Sequence, residues 1–277
     1  YPINGSRVAV STPVPSPKLC FVHSNDILIY NLTPIYFRNT RDDPELLSDD
    51  DPQTLTDSQF DPAKLTKFVT HGWHSDKNST VSFLDVYDCN VIIIDWSASA
   101  KKTYYFARMD IEKVAPYVGR FLDFLVVEGN TSLQNVHLLG HSLGGHLVGL
   151  SSRANDSDII NHTSLDPALP LFQTESKNHR LDKSDGPFVE VIHTSGGILG
   201  FMDPLGHADF YVNGGTRQPG CGMDPARVCA HMRAHALYAE LIRNPGLFTT
   251  RECDSMGEAQ AEACHGEELR WIDSVQW

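Results

Sequence analysis

Residues 135–149 read NVHLLGHSLGGHLVG, and the order of residue types within them governs how the flanking chain is read. Val136 to Leu139 is an apolar run of strand length, and His146 to Ser152 can continue as a helix. Between them stands Gly140-His141-Ser142-Leu143-Gly144, a G-x-S-x-G pattern. Strand, tight turn and helix in that order push the serine hydroxyl out above a sheet, and glycine on either side leaves room for the backbones to cross. Ser142 is therefore the candidate nucleophile. The start of the following helix aims backbone N–H groups and the positive end of its dipole at the turn, which suits a developing oxyanion.

Working outward, the chain alternates strands with helices. Leu65 to Thr70 reads as a strand ending at His71-Gly72-Trp73, and Val91 to Asp95 as a continuous apolar strand. From about Tyr104 to Val127, Ile111, Val114, Val118, Phe121, Leu122 and Leu125 recur at helical spacing. After the serine come a helix over His146 to Arg153, strands near Thr163 to Leu165, Phe188 to His193 and Asp209 to Val212, and a last helix over His231 to Arg243. Such alternation implies an α/β fold with a mostly parallel central sheet flanked by helices and right-handed crossovers, and the G-x-S-x-G turn between strand and helix makes the α/β-hydrolase fold the expected arrangement. No repeat or linker is visible, so residues 1–277 are expected to form a single domain. The proline-rich start to about residue 26 reads as an extended arm tied down near Cys20, Ile27 to Arg38 as a strand or hairpin, and Asn39 to Asp61, with Asp49-Asp50-Asp51, as a solvated loop.

The 277 residues carry a formal net charge of −13, which argues against a nucleic-acid partner and against strong attraction to anionic membranes. No apolar run reaches transmembrane length. Six cysteines, together with Asn-x-Ser/Thr sequons at Asn4, Asn31, Asn78, Asn130, Asn155 and Asn161, all in polar stretches that look like loops, point to an oxidising compartment and secretion. Tyr1-Pro2-Ile3-Asn4 lacks the basic start and apolar core of a signal peptide, so the numbering is expected to begin at or near a mature terminus.

A serine hydroxyl needs a base at neutral pH, and the base needs an orienting acid; in α/β-hydrolases they follow in the order Ser, Asp or Glu, His. Asp166, in Leu165-Asp166-Pro167-Ala168, lies 24 residues beyond Ser142. One helix and one strand fill that distance, which places Asp166 at the same end of the neighbouring parallel strand, where ligands bind. Thirteen histidines leave the base open among His231, His207, His193 and His235. His231 is favoured because it sits between the last strand and a helix, where a loop can lower the imidazole onto the serine; His193 ends a strand and His235 lies inside the helix. The oxyanion donors expected in this fold are the N–H of the residue after the nucleophile, Leu143, and one from a loop after an earlier strand, Trp73.

With these residues in place the chain resembles the pancreatic lipase family, which includes secreted phospholipases A1 and insect yolk proteins. The resemblance runs from about Phe68 to Arg243 through Thr70-His71-Gly72-Trp73, Ile94-Asp95-Trp96, Gly140-His141-Ser142-Leu143-Gly144-Gly145-His146, Ser164-Leu165-Asp166-Pro167-Ala168, Val191-Ile192-His193-Thr194 and Cys229-Ala230-His231. It implies Ser142, Asp166 and His231 as the triad and Trp73 and Leu143 as oxyanion donors. It also implies pairing of Cys20 with Cys89, Cys221 with Cys229 and Cys253 with Cys264. Arg180 to Asp185 is similar to the family's calcium loop, with Asp182 and Asp185 as side-chain ligands of a possible structural calcium; no other cofactor is implied.

The departures concern substrate. Only seven residues separate Cys221 from Cys229, where the large digestive lipases carry a long lid, and, the sequence ending at Trp277, a C-terminal lipid-docking domain like theirs is not expected. Within the family a short lid resembles phospholipases A1, open to water and to polar head groups. The expected activity is thus a secreted serine esterase on lipid acyl esters at aggregates or membrane surfaces, phospholipase A1 first. Triacylglycerol lipase or a broad carboxylesterase is the alternative, and a non-catalytic yolk-type storage or lipid-binding protein is the rival from another class.

Overall fold

The computed structural model describes residues 35–38, 45–76, 87–154 and 160–271. In chain order these form strands β1 (Ile35–Arg38) and β2 (Glu45–Leu47), helix α1 (Gln53–Thr56), strands β3 (Thr66–Thr70) and β4 (Asn90–Ile94), and helices α2 (Ser97–Ala100) and α3 (Tyr104–Val127). Strand β5 (Val136–His141), helix α4 (Leu143–Ala154) and strands β6 (Asn161–Leu165), β7 (Val189–His193) and β8 (Ala208–Tyr211) follow. The chain then makes α5 (Val228–Arg243), β9 (Thr249–Arg251), α6 (Met256–Gln260) and β10 (Glu268–Arg270).

The main sheet runs β2-β1-β4-β3-β5-β6-β7-β8. Its last six strands in that order are parallel, and β1 and β2 add an antiparallel edge. Alternate residues of each central strand feed different cores. Phe68, Ile92, Leu138 and Val191 pack under α3 and α4, with Ile111, Val114, Val118 and Phe121. Val69, Ile93, Leu139 and Ile192 pack on the opposite face under α5, with Ala234, Tyr238 and Leu241. A strand buried on both faces reads as a continuous apolar run, which is why β4 and β5 stand out in the sequence. The α/β class and the parallel sheet agree with the sequence.

The strand order reverses at β3: the chain steps from β3 outward to β4, then returns across β3 to β5. In open α/β sheets ligands bind beyond the carboxyl ends of the strands at such a switch point. Here that crevice lies between the segment after β3, beginning at His71, and the segment after β5, beginning at Ser142.

Three local expectations change. The stretch expected to be a solvated loop contains β2 and α1, and Ser48 bridges Asp51 there. Asn161 is not in a loop; it is the half-buried first residue of β6, paired with His137. Asn130 is exposed at the end of α3, whereas Asn4, Asn31, Asn78 and Asn155 lie outside the described residues. Helix α5 begins at Val228, so His231 lies in its first turn and not in a loop ahead of it.

Disulfides join Cys221 to Cys229 and Cys253 to Cys264, with Cα–Cα separations of 5.6 and 4.6 Å. Cys89 is buried beside β4, and Cys20 lies outside the described residues. The tail is held by more than its disulfide. Trp271 is buried, stacks on Phe210 at 4.3 Å, and donates its indole N–H to Glu190 at 3.1 Å. That carboxylate also accepts from the Thr163 hydroxyl at 2.8 Å, so the last described residue plugs a buried polar row across β6 and β7.

Candidate active site

Ser142 sits between β5 and α4 with φ 57°, a left-handed backbone that side chains other than glycine rarely adopt. The turn is fixed by Ser142 N–H donating to Leu165 O at 3.0 Å, and by Gly145 N–H and Ala168 N–H donating to Ser142 O at 3.1 and 3.2 Å. The flanking glycines are sterically required. A Cβ on Gly140 would enter the backbone of Gly144, and one on Gly144 would lie 2.7 Å from His71 O. This is why the crossing of β5 into α4 needs glycine on both sides of the serine.

Asp166 follows β6 with φ 46° and is fully buried. Its Oδ2 accepts from His231 Nδ1 at 2.6 Å, and its Oδ1 accepts from the backbone N–H groups of Thr194 and Ser195 at 2.7 and 3.0 Å. Burial alone would raise this carboxyl, but donation from His231, Ser195 and Thr194 outweighs it and holds the group below the usual carboxylate range. Asp166 is thus an anion throughout the neutral range, and its hydrogen bond assigns the proton of a neutral His231 to Nδ1. The other ring nitrogen, Nε2, is left to act as a base.

His231 is lowered onto the site by the start of α5. Arg227 caps that helix with φ 57°, and Asp224 accepts from Ala230 N–H at 2.9 Å. His141, which precedes the serine, donates from Nε2 to His231 O at 3.1 Å, and its ring lies 4.5 Å from that of His231 and 3.9 Å from that of His235. Burial, then the neighbouring His235 and His231, keep His141 well below the usual histidine range, and burial pushes His235 down to about 4. The other two candidates are occupied elsewhere: His193 bridges Phe201 O at 2.8 Å and Asp209 at 2.9 Å, and His207 accepts from Val189 N–H at 3.1 Å.

Ser142 and His231 face a common cavity of about 390 Å³, whose wall also includes Trp73, Tyr104, Leu199 and Met232. Leu143 opens α4, where the first N–H groups have no partner within the helix. Among the described residues, neither its N–H nor that of Trp73 donates to a turn, loop or cap acceptor. The segment carrying Trp73 is pinned from the α2–α3 side: His74 N–H donates to Ala100 O and the Trp73 indole to Lys102 O, both at 2.9 Å. Sequence patterns mark Trp73 but not these ties, because backbone acceptors leave no residue-type signal. Ser195 carries no sequence signal for a related reason: one serine after a strand has no distinguishing neighbours.

The loop expected to hold calcium is closed by protein donors. Asp182 Oδ1 accepts from Ser184 N–H and Oγ–H at 3.0 and 2.6 Å, Asp185 Oδ2 accepts from Asp182 N–H at 2.8 Å, and Asp185 Oδ1 accepts from the Arg153 guanidinium. Burial pushes the Asp185 carboxyl up to about 6 against those donors. Calcium takes six to eight oxygen ligands, so an ion here would first have to displace a guanidinium. As arranged, Asp182 and Asp185 do not fit the ion. The cluster of three ligating side chains found among the described residues is Cys221, Asp224 and Cys229, and both of those cysteines are in a disulfide.

Three buried histidines are expected to make the fold sensitive to acid. Burial lowers His146 to about 3, and His162 and His235 to about 4. A histidine held neutral in the fold contributes stability that is complete above its unfolded value near 6.5 and is lost as pH falls from there toward the folded value. Each contributes a slope of about 1.4 kcal/mol per pH unit in that window. Urea midpoints are therefore expected to fall steeply between pH 6.5 and 4; an unchanged midpoint from pH 7 to pH 5 would refute this.

The family profile described as Lipase matches residues 30–270. The chain is 34% identical over 244 residues to pancreatic triacylglycerol lipase of Sus scrofa, covering 77% of this chain and 54% of that protein. It is 35% identical over 230 residues to lipase member H of Xenopus tropicalis (78% and 48%), and 32% identical over 259 residues to pancreatic lipase-related protein 2 of Mus musculus (83% and 54%). The chain thus spans about half the length of these curated relatives. The motifs read from the sequence, the parallel sheet with a serine on the turn after β5, and a match across most of the chain lead to one assignment: the chain belongs to the pancreatic-type lipase family.

Proposed function

We propose that this protein is a secreted serine esterase that hydrolyses acyl esters of lipids, with Ser142 as nucleophile, His231 as base and Asp166 as orienting acid. The observation that carries this is the 2.6 Å bond from His231 Nδ1 to Asp166, which leaves Nε2 free to serve Ser142 in the cavity they share. Ser142 Oγ attacks the ester carbonyl carbon as Nε2 takes its proton, and the N–H groups of Trp73 and Leu143 hold the oxyanion. The imidazolium returns the proton to the leaving alcohol oxygen. Water, deprotonated by the same nitrogen, then attacks the acyl-enzyme carbonyl, and the imidazolium returns that proton to Ser142 Oγ as the fatty acid is released. Asp166 holds the ring and balances its transient positive charge.

Phospholipase A1 is the preferred substrate class, supported by a lid that has little to close. The seven residues between Cys221 and Cys229 are bound by a disulfide, and Arg227 among them donates to Gly196 O and Thr216 O at 3.2 and 2.6 Å. The mouth is nonetheless apolar: Trp73, Val228 and Met232 are exposed on its wall, and Tyr105 and Phe106, 57% and 59% exposed, follow Tyr104. An apolar rim on a protein of net charge −13 suits a zwitterionic lipid surface better than an anionic one. Two disulfides fit secretion.

The test is fatty-acid release from phosphatidylcholine labelled at either acyl position, with triolein alongside. Release from the first position is the expected result. Release from triolein alone would retain the esterase and overturn the substrate class. No release from any ester by folded protein would leave a lipid-binding or storage role.

A further inference from the structure

Ser195 lies just beyond the end of β7, fully buried, and its hydroxyl reaches the oxygen of Asp166 that His231 uses. We infer that Ser195 is a positioning residue of the ester-hydrolysis site, which locks the Asp166 carboxylate and tempers its hold on His231; this rests on the assignment of Ser142, His231 and Asp166 above. Four donors surround the carboxylate. Oδ1 takes the N–H groups of Thr194 and Ser195, and Oδ2 takes the His231 imidazole and the Ser195 hydroxyl. A carboxylate offers about four lone-pair sites, so Asp166 is saturated and can neither rotate nor admit water. Gly200 closes the remaining side, since a Cβ there would overlap both carboxylate oxygens.

The hydroxyl also sets how strongly Oδ2 can attract the imidazolium. Ser195 Oγ lies 3.3 Å from His231 Nδ1, on the edge of the ring already engaged by Asp166. It is therefore badly placed to be the nucleophile. Two donors on one oxygen share its electron density, and removing the hydroxyl leaves a stronger acceptor for the charged ring. The ionisable groups that otherwise face His231 are His141 from β5 and His235 from α5, both kept neutral by burial, so little else near the ring changes charge.

The test is steady-state hydrolysis of p-nitrophenyl butyrate across pH by wild type, Ser195→Ala and Ser195→Cys, each verified as folded by its melting transition. Ser195→Ala is expected to lower kcat about tenfold with KM unchanged, because loosening of the carboxylate disturbs the transition state more than substrate binding. The acid limb of its pH profile is expected to move upward by roughly half a pH unit. Ser195→Cys, with a weaker donor of similar size, is expected to fall between the two. Wild-type kcat and an unmoved acid limb in either variant would overturn the role of Ser195. A fluorophosphonate probe separates this failure from failure of the parent assignment: labelling that persists in Ser142→Ala and vanishes in Ser195→Ala would make Ser195 the nucleophile.

Discussion

Ser142→Ala is expected to fold normally and to lose about 10⁴- to 10⁶-fold in ester turnover. The loss is so large because the alternatives are poor: of the other hydroxyls lining the cavity among the described residues, Tyr104 already donates to Pro170 O at 2.9 Å and Ser75 stands on the segment after β3 rather than on the turn after β5, and Ser195 lies at the opposite edge of the ring. What remains should come from oxyanion stabilisation and binding alone. The strained backbone adds a second, independent outcome. With φ 57°, alanine at this position keeps the left-handed penalty of about 1–2 kcal/mol, whereas glycine does not. Ser142→Gly should therefore be more stable than Ser142→Ala by about 1 kcal/mol in urea titrations while equally inactive. More than one per cent of wild-type turnover in highly purified Ser142→Ala would remove Ser142 from the mechanism.

That strained turn is legible in the sequence itself. Gly140 and Gly144 are demanded by backbone crossing, so they leave a spaced signature in the sequence, and the apolar runs of β4 and β5 follow from burial on both faces. The separation of Asp166 from Ser142 was informative because one helix and one strand must fill it. Histidine assignment was harder, since burial and pairing give His141, His193, His207 and His235 roles that residue type alone does not distinguish from a base. The start of α5 at Val228 carries little sequence signal because its N-cap, Arg227, makes no side-chain capping bond and adopts a left-handed conformation, while the acceptor for the Ala230 N–H is Asp224, set back in the disulfide-bound loop. The role of Trp271 is not legible in the sequence because its partners, Phe210 and Glu190, are distant along the chain and a lone tryptophan carries no period.

Asp166→Asn should lower turnover at neutral pH by about 10⁴-fold, and its severity follows from the orientation the site imposes on the new amide. Two backbone N–H groups, from Thr194 and Ser195, point at the Oδ1 position, so the amide must place its oxygen there. Its NH₂ then occupies the Oδ2 position against His231 Nδ1 and can only donate. Nδ1 becomes the acceptor, the ring proton moves to Nε2, and the atom that should deprotonate Ser142 no longer has a free lone pair. Asp166→Ala imposes no such tautomer and should retain more activity, yet it leaves the two N–H groups and the Ser195 hydroxyl buried without their acceptor. At about 1–3 kcal/mol for each unsatisfied group, it should be the less stable of the two variants. Turnover and urea stability should consequently rank the pair in opposite orders. If Asp166→Asn instead keeps turnover within tenfold of wild type, the orienting acid is not Asp166, because no arrangement of that amide satisfies both backbone donors and still leaves Nε2 as a base.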